Sequence, residues 1–113
     1  MLRRFCMAIV LTLSPLFSTI GQQAPATGQR VGDFVLNDFR GNAVALHDYQ
    51  EAKVVVLAVL GTECPLAKLY GPRLQELDDR FGSEVAFIGI NANTQDSVTE
   101  IAAYARRHKI AFP

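Results

Sequence analysis

The sequence predicts an α/β domain with a largely parallel sheet. Three observations carry that prediction. Two short apolar runs, Val54–Leu60 and Val85–Ile90, are bounded by residues that break strands. Between them, Leu66, Leu69, Tyr70, Leu74, Leu77 and Phe81 recur at helical spacing, and Val98, Ile101, Ala102, Tyr104 and Ala105 repeat that pattern after the second run. Runs this short suit strands buried on both faces, and strands that alternate with helices return parallel through a crossover.

The chain has 113 residues, enough for one small domain. Half of the residues are hydrophobic, which fits a folded core. Lys and Arg total 11, as do Asp and Glu, so the net charge is zero and there is no electrostatic case for nucleic acid.

The first residues are of a different composition. Arg3 and Arg4 precede a nearly uniform apolar or small stretch, Phe5 to Ile20. This reads as a secretory leader over residues 1–21, cleaved after Gly21, followed by a linker over 22–30 and a domain over 31–113. The apolar stretch falls short of the ~20 residues that a spanning helix needs, and Pro15 interrupts it. An uncleaved leader is the alternative, and the only route to a membrane. The expected location is therefore periplasmic or secreted. Cys6 would leave with the leader, so the exported chain would hold one thiol, Cys64, with no internal disulfide partner.

In the domain, Phe34 and Leu36, then Val44 and Leu46, alternate with polar neighbours around Asp38–Asn42, the pattern of a β-hairpin. Val54–Leu60 is the first buried strand, and Gly61-Thr62-Glu63-Cys64-Pro65 ends it. Pro65 suits the first turn of the following helix, where an N–H is not needed. Gly71-Pro72 should kink that helix, and Gly82 should close it. After the second strand, Asn91–Gln95 reads as a loop, and Ser97 with Glu100 as a capping box. The second helix runs to about His108, and an extended piece begins at Ile110.

Cys64 is the candidate site. It sits where a strand ends and a helix begins, and chemistry in open α/β sheets gathers at the carboxyl ends of strands. Free N–H groups at a helix start favour a thiolate by about 0.3–2 kcal/mol. Lys68, one turn on, acts in the same direction, and Glu63 opposes it. Cys64 as a small buried hydrophobe is the alternative.

Gly32-Asp33-Phe34-Val35-Leu36-Asn37-Asp38, Gly41, Leu46, the Val54–Leu60 run and Cys64-Pro65 together resemble the redoxin, or AhpC/TSA, branch of the thioredoxin-like superfamily. The resemblance covers Val31 to Pro113. It implies a thioredoxin-like fold preceded by a β-hairpin and a thiol-dependent oxidoreductase or antioxidant with Cys64 as nucleophile. Thr62, Glu63, Pro65 and Lys68 would be the supporting residues. A peroxide or a protein disulfide would be the substrate, and an external thiol or thioredoxin-like protein the reductant. No cofactor and no metal is implied. The departures fall at the site. Thiol–disulfide members carry Trp-Cys-x-x-Cys, whereas Glu63 replaces the aromatic residue here and Ala67 the second cysteine. Peroxiredoxins carry a threonine and a proline where this chain has Gly61 and Leu57. Family members also continue past a Phe-Pro like Phe112-Pro113, so the resemblance implies a domain incomplete at its C-terminus. A non-catalytic binding module or inactive fragment of the same fold is the competing expectation.

His47 reads as a polar hairpin residue and His108 as a dipole partner at a helix end. With Cys64 they match no metal-ligand spacing.

Overall fold

Asp38 organises the first turn. Its Oδ1 accepts the backbone N–H of Arg40 (2.9 Å) and of Asn42 (2.8 Å), while Gly41 takes the left-handed conformation, φ +86°, that the turn requires. The turn joins β1 (Val35–Asn37) to β2 (Ala43–Ala45) in an antiparallel hairpin, with Val35 opposite Ala45. Alternation in the sequence extends the second strand to Leu46. In the structure Leu46 keeps one ladder bond, to the Phe34 carbonyl (3.1 Å), but Leu46–Tyr49 coils into a 3-10 turn. The Asp48 carboxylate closes that turn by accepting the Ala45 N–H (2.9 Å).

The computed structural model describes residues 27–113, and Val31–Pro113 forms one unit. The expected leader, residues 1–21, and most of the expected linker lie outside the described residues.

The two apolar runs form β3 (Val54–Val59) and β4 (Val85–Ile90), paired in parallel from Val54 opposite Val85 to Val59 opposite Ile90. The Leu60 N–H bonds the Ile90 carbonyl (2.9 Å), so both strands end level. Phe87 and Ile88 point to opposite sides of β4 and are both buried. β3 departs from the expected burial on both faces: Val54, Leu57 and Val59 are exposed, Val59 by 73%. Among the described residues β3 has one strand neighbour, and only Val56 and the following Leu60 from this run pack against the core.

Helix α1 spans Pro65–Phe81 and runs unbroken through Gly71-Pro72. Gly82, at φ +54°, ends it and donates its N–H to the Asp78 carbonyl. The buried side of α1 is not the predicted apolar stripe. Leu66, Leu69, Tyr70, Leu77 and Phe81 are exposed, whereas Ala67, Gly71 and Gln75, four residues apart, are buried, with Leu74 half-buried beside the core. Small side chains let a neighbour approach closely. Gln75 is admitted because its amide is fully used: Oε1 accepts the N–H groups of Ala111 (2.6 Å) and Phe112 (3.3 Å), and Nε2 donates to Asp79 (2.8 Å) and Asp78 (3.2 Å).

Helix α2 (Val98–Arg107) starts with the predicted capping box. Ser97 Oγ accepts the Glu100 N–H (3.3 Å), and the Glu100 carboxylate accepts the Ser97 N–H (2.8 Å). At its other end Lys109 adopts φ +56°, and two bonds, Ile110 N–H to Ala105 carbonyl (2.9 Å) and Lys109 N–H to Arg106 carbonyl (3.3 Å), form a Schellman motif. That reversal turns Ile110 and Phe112 into the core beside Ala67, Phe87, Tyr104 and Ala105. The Phe87 and Phe112 rings lie 6.3 Å apart, and each such buried ring contributes about 1.5–3 kcal/mol.

Candidate functional site

Cys64 lies at the carboxyl end of β3, as the N-cap of α1, and is exposed. Two backbone bonds frame it. Its N–H reaches the Gly61 carbonyl (3.2 Å), which closes a turn over Gly61–Cys64, and its carbonyl accepts the Lys68 N–H (3.0 Å) as the first bond of the helix. Pro65, at the first helical position, costs α1 no hydrogen bond. The thiol is thus held at the helix terminus by main-chain geometry.

The charges on either side of Cys64 meet each other. Lys68 Nζ pairs with Glu63 Oε2 at 3.2 Å, with Glu63 almost fully exposed. A solvated pair of this kind contributes about 0–1 kcal/mol, and it spends much of the attraction that Lys68 would offer an adjacent thiolate. Thr62, in contrast, is buried, and its N–H donates to Asp96 Oδ2 at 3.0 Å. Thr62, Glu63, Pro65 and Lys68 all adjoin Cys64 as the sequence places them, but Thr62 faces inward and Glu63 and Lys68 face one another.

Asp96 and Tyr104 escape sequence reasoning. Besides the Thr62 N–H, the Asp96 carboxylate accepts the side-chain amides of Asn91 (2.8 Å) and Asn93 (2.9 Å). These donors, the Thr62 N–H first and the Asn91 amide next, hold Asp96 below the usual carboxylate range. Asn91, Asn93 and Asp96 look like ordinary loop residues in the sequence. The one available hint is that β3 and β4 end level, which brings their following loops together.

Tyr104 is buried, and its hydroxyl donates to the Ala67 carbonyl in the first turn of α1. Burial raises its phenol above the ordinary value, and the negative charge of a Cys64 thiolate raises it further. Ala67, the position of a second cysteine in the thiol–disulfide pattern, is a core residue, 5% exposed.

Neither histidine joins the site. His47 Nδ1 pairs with Asp33 Oδ2 at 2.7 Å in the hairpin region. The His108 ring lies 4.5 Å from that of Tyr104, with Nε2 buried and unpartnered among the described residues.

The model of the AhpC/TSA family matches residues 27–113. Among solved structures, a hypothetical protein of Sinorhizobium meliloti is 24% identical over 80% of this chain, with a TM-score of 0.73. A candidate protein disulfide isomerase of Bacteroides thetaiotaomicron is 20% identical over 76% of this chain, with a TM-score of 0.63. The chain covers 53% of the first and 54% of the second, about half of their length. These likenesses give the chain a thioredoxin-like fold. A search of curated proteins returns no match.

Proposed function

The chain belongs to the AhpC/TSA family, and from that premise we propose that it is a thiol-dependent oxidoreductase in which Cys64 is the single nucleophile. One observation carries the reading: an exposed thiol caps a helix at the carboxyl end of a parallel strand. There the thiol is open to a substrate, and its thiolate is the form that attacks.

Two reactions fit a lone thiolate. It attacks one oxygen of a peroxide, forming an S–O bond as the O–O bond breaks. Cys64 is then oxidised to sulfenic acid, and the peroxide is reduced to water or an alcohol. Alternatively it attacks a disulfide, forming a mixed disulfide and expelling the other sulfur as a thiolate. Either product needs an external thiol or thioredoxin-like reductant, because Ala67 supplies no second sulfur. The disulfide-isomerase description of one structural neighbour supports the second reaction as a candidate. We place this chemistry outside the cytoplasm on the strength of Arg3-Arg4 and the Phe5–Ile20 stretch. A mature N-terminus near Gln22, found by mass spectrometry, would agree, and an intact one in the cytoplasm would not.

The deciding experiment is done in a Cys6→Ser background. Peroxide should give a sulfenic acid that dimedone traps, a small disulfide should give one adduct per chain, and Cys64→Ser should abolish both. Iodoacetamide should alkylate Cys64 faster than free cysteine at pH 7. The second reading is a non-catalytic module of the same fold. It is favoured by the burial of Ala67 and the pairing of Lys68 with Glu63. A Cys64 no more reactive than free cysteine would make that reading the right one.

A further inference from the structure

Helix α2 grips the Cys64 segment on both sides of the thiol. At its N-terminal end Asp96, the residue before the Ser97 cap, takes the Thr62 N–H, two residues before Cys64. Further along, Tyr104 donates to the Ala67 carbonyl, three residues after Cys64. The Asp96 contact is the more demanding one. Its Oδ2 takes the Thr62 N–H (3.0 Å) and the Asn91 amide (2.8 Å), and its Oδ1 takes the Asn93 amide (2.9 Å). Hydrogen bonds to an ionised group are about twice as strong as neutral ones, and three from separate directions fix the carboxylate in one orientation. The donors come from the loop after β3 and the loop after β4, so a single side chain ties both loops at the end of the sheet where Cys64 lies.

We propose that Asp96 is a positioning residue for Cys64: it fixes the Gly61–Cys64 turn so that the sulfur stays at the N-terminus of α1. The inference rests on the reading of Cys64 as the nucleophile. Without the carboxylate, the N–H of buried Thr62 has no acceptor, the turn relaxes, and residue 64 is no longer held at the positive end of α1.

The test measures two things in the full chain carrying Cys6→Ser: the iodoacetamide rate at Cys64 at pH 7.5 and amide hydrogen exchange at Thr62. Asp96→Ala should slow alkylation about two- to fivefold and quicken Thr62 exchange. Asp96→Asn keeps an oxygen for the Thr62 N–H and should restore most of both. Asn93→Ala removes one of the three donors that orient the carboxylate and should slow alkylation by less than Asp96→Ala does. If Asp96→Ala does not fold, Asp96→Asn decides alone: its neutral acceptor weakens the hold, so both readouts should shift in the same directions by less. Quickened Thr62 exchange with a wild-type alkylation rate overturns the proposal, because the clasp is then structural only. Unchanged Thr62 exchange overturns it as well. A wild-type Cys64 no faster than free cysteine overturns the redox reading instead, while the ratio of variant to wild-type rate still judges Asp96.

Discussion

A β-carbon built on Gly71 would stand 2.9 Å from the Tyr104 hydroxyl oxygen and 2.9 Å from Ile110 Cδ1. Helix α1 and the α2 region meet as closely as they do because position 71 has no side chain. The approach is what lets the Tyr104 hydroxyl reach the Ala67 carbonyl.

Gly71→Ala therefore sets two effects against each other. Alanine gains about 1 kcal/mol of helix propensity over glycine, and overpacking a buried site costs about 1–3 kcal/mol. The hydrogen bond to Ala67 would also stretch. Packing should win, with a net loss of about 1 kcal/mol in urea unfolding, and Gly71→Ala with Tyr104→Phe should lose less than the sum of the two single changes. A more stable Gly71→Ala protein would contradict this contact.

Lys109 offers the opposite case. It holds the left-handed position of the Schellman motif at φ +56°, where a side chain costs about 1–2 kcal/mol and glycine nothing. Lys109→Gly should stabilise the protein by about 1 kcal/mol, somewhat offset by the greater freedom of glycine in the unfolded chain. No gain in the denaturation midpoint would show that the C-terminus of α2 is not closed in this way.

The Asp33–His47 pair predicts a pH window. The hydrogen bond and charge of Asp33 raise His47 above 6.5, and the same contact lowers Asp33 below 3.8. The His47 contribution is fully present below its unfolded value and is lost as pH rises through the raised one. The Asp33 contribution is present above its unfolded value and is lost as pH falls through the lowered one. The pair is thus strongest between about pH 4 and 6.5. Both groups are exposed, so the effect on stability is small and salt-sensitive. NMR titration should find His47 above 6.5 and Asp33→Asn should bring it back; a His47 indifferent to that change would rule the pair out.

Ala67→Cys asks what the site lacks. Positions 64 and 67 share the first turn of α1, so mild oxidation should close a disulfide between them. It would be seen as the loss of two hydrogens from the tryptic peptide Val54–Lys68. The added sulfur enters a core position, so the reduced variant should be less stable than wild type by about 1–3 kcal/mol. Two free thiols in that peptide after oxidation would refute the geometry.

The elements were legible where local chemistry sets them. Alternation and the turn residues marked the hairpin, unbroken apolar runs marked β3 and β4, and Ser97 with Glu100 marked the start of α2. The inward side of α1 was not legible, because hydrophobicity ranks Leu66, Leu69 and Phe81 above Ala67, Gly71 and Gln75. Close approach and a satisfied amide decided the matter instead, and both depend on what lies opposite. The run Val54–Leu60 likewise reports a capacity for burial rather than the neighbours that would provide it. At the site, Cys64 and its flanking residues could be read from the sequence. Asp96 could not, since it acts on Thr62 across 34 residues of chain and no spacing rule announces that contact.

The two sides of the β3–β4 pair are unequal, and the inequality bears on solubility. The Pro113 carbonyl accepts the Gly89 N–H (2.7 Å) and so shields part of the outer side of β4. Among the described residues nothing comparable lines the outer side of β3, whose Val54, Leu57 and Val59 face solvent. A chain with no net charge at pH 7 has little long-range repulsion to keep such borders apart. Loss of clear solution should therefore begin along β3, grow with protein concentration, and recede both away from neutral pH and when Val59→Lys places a charge on that border.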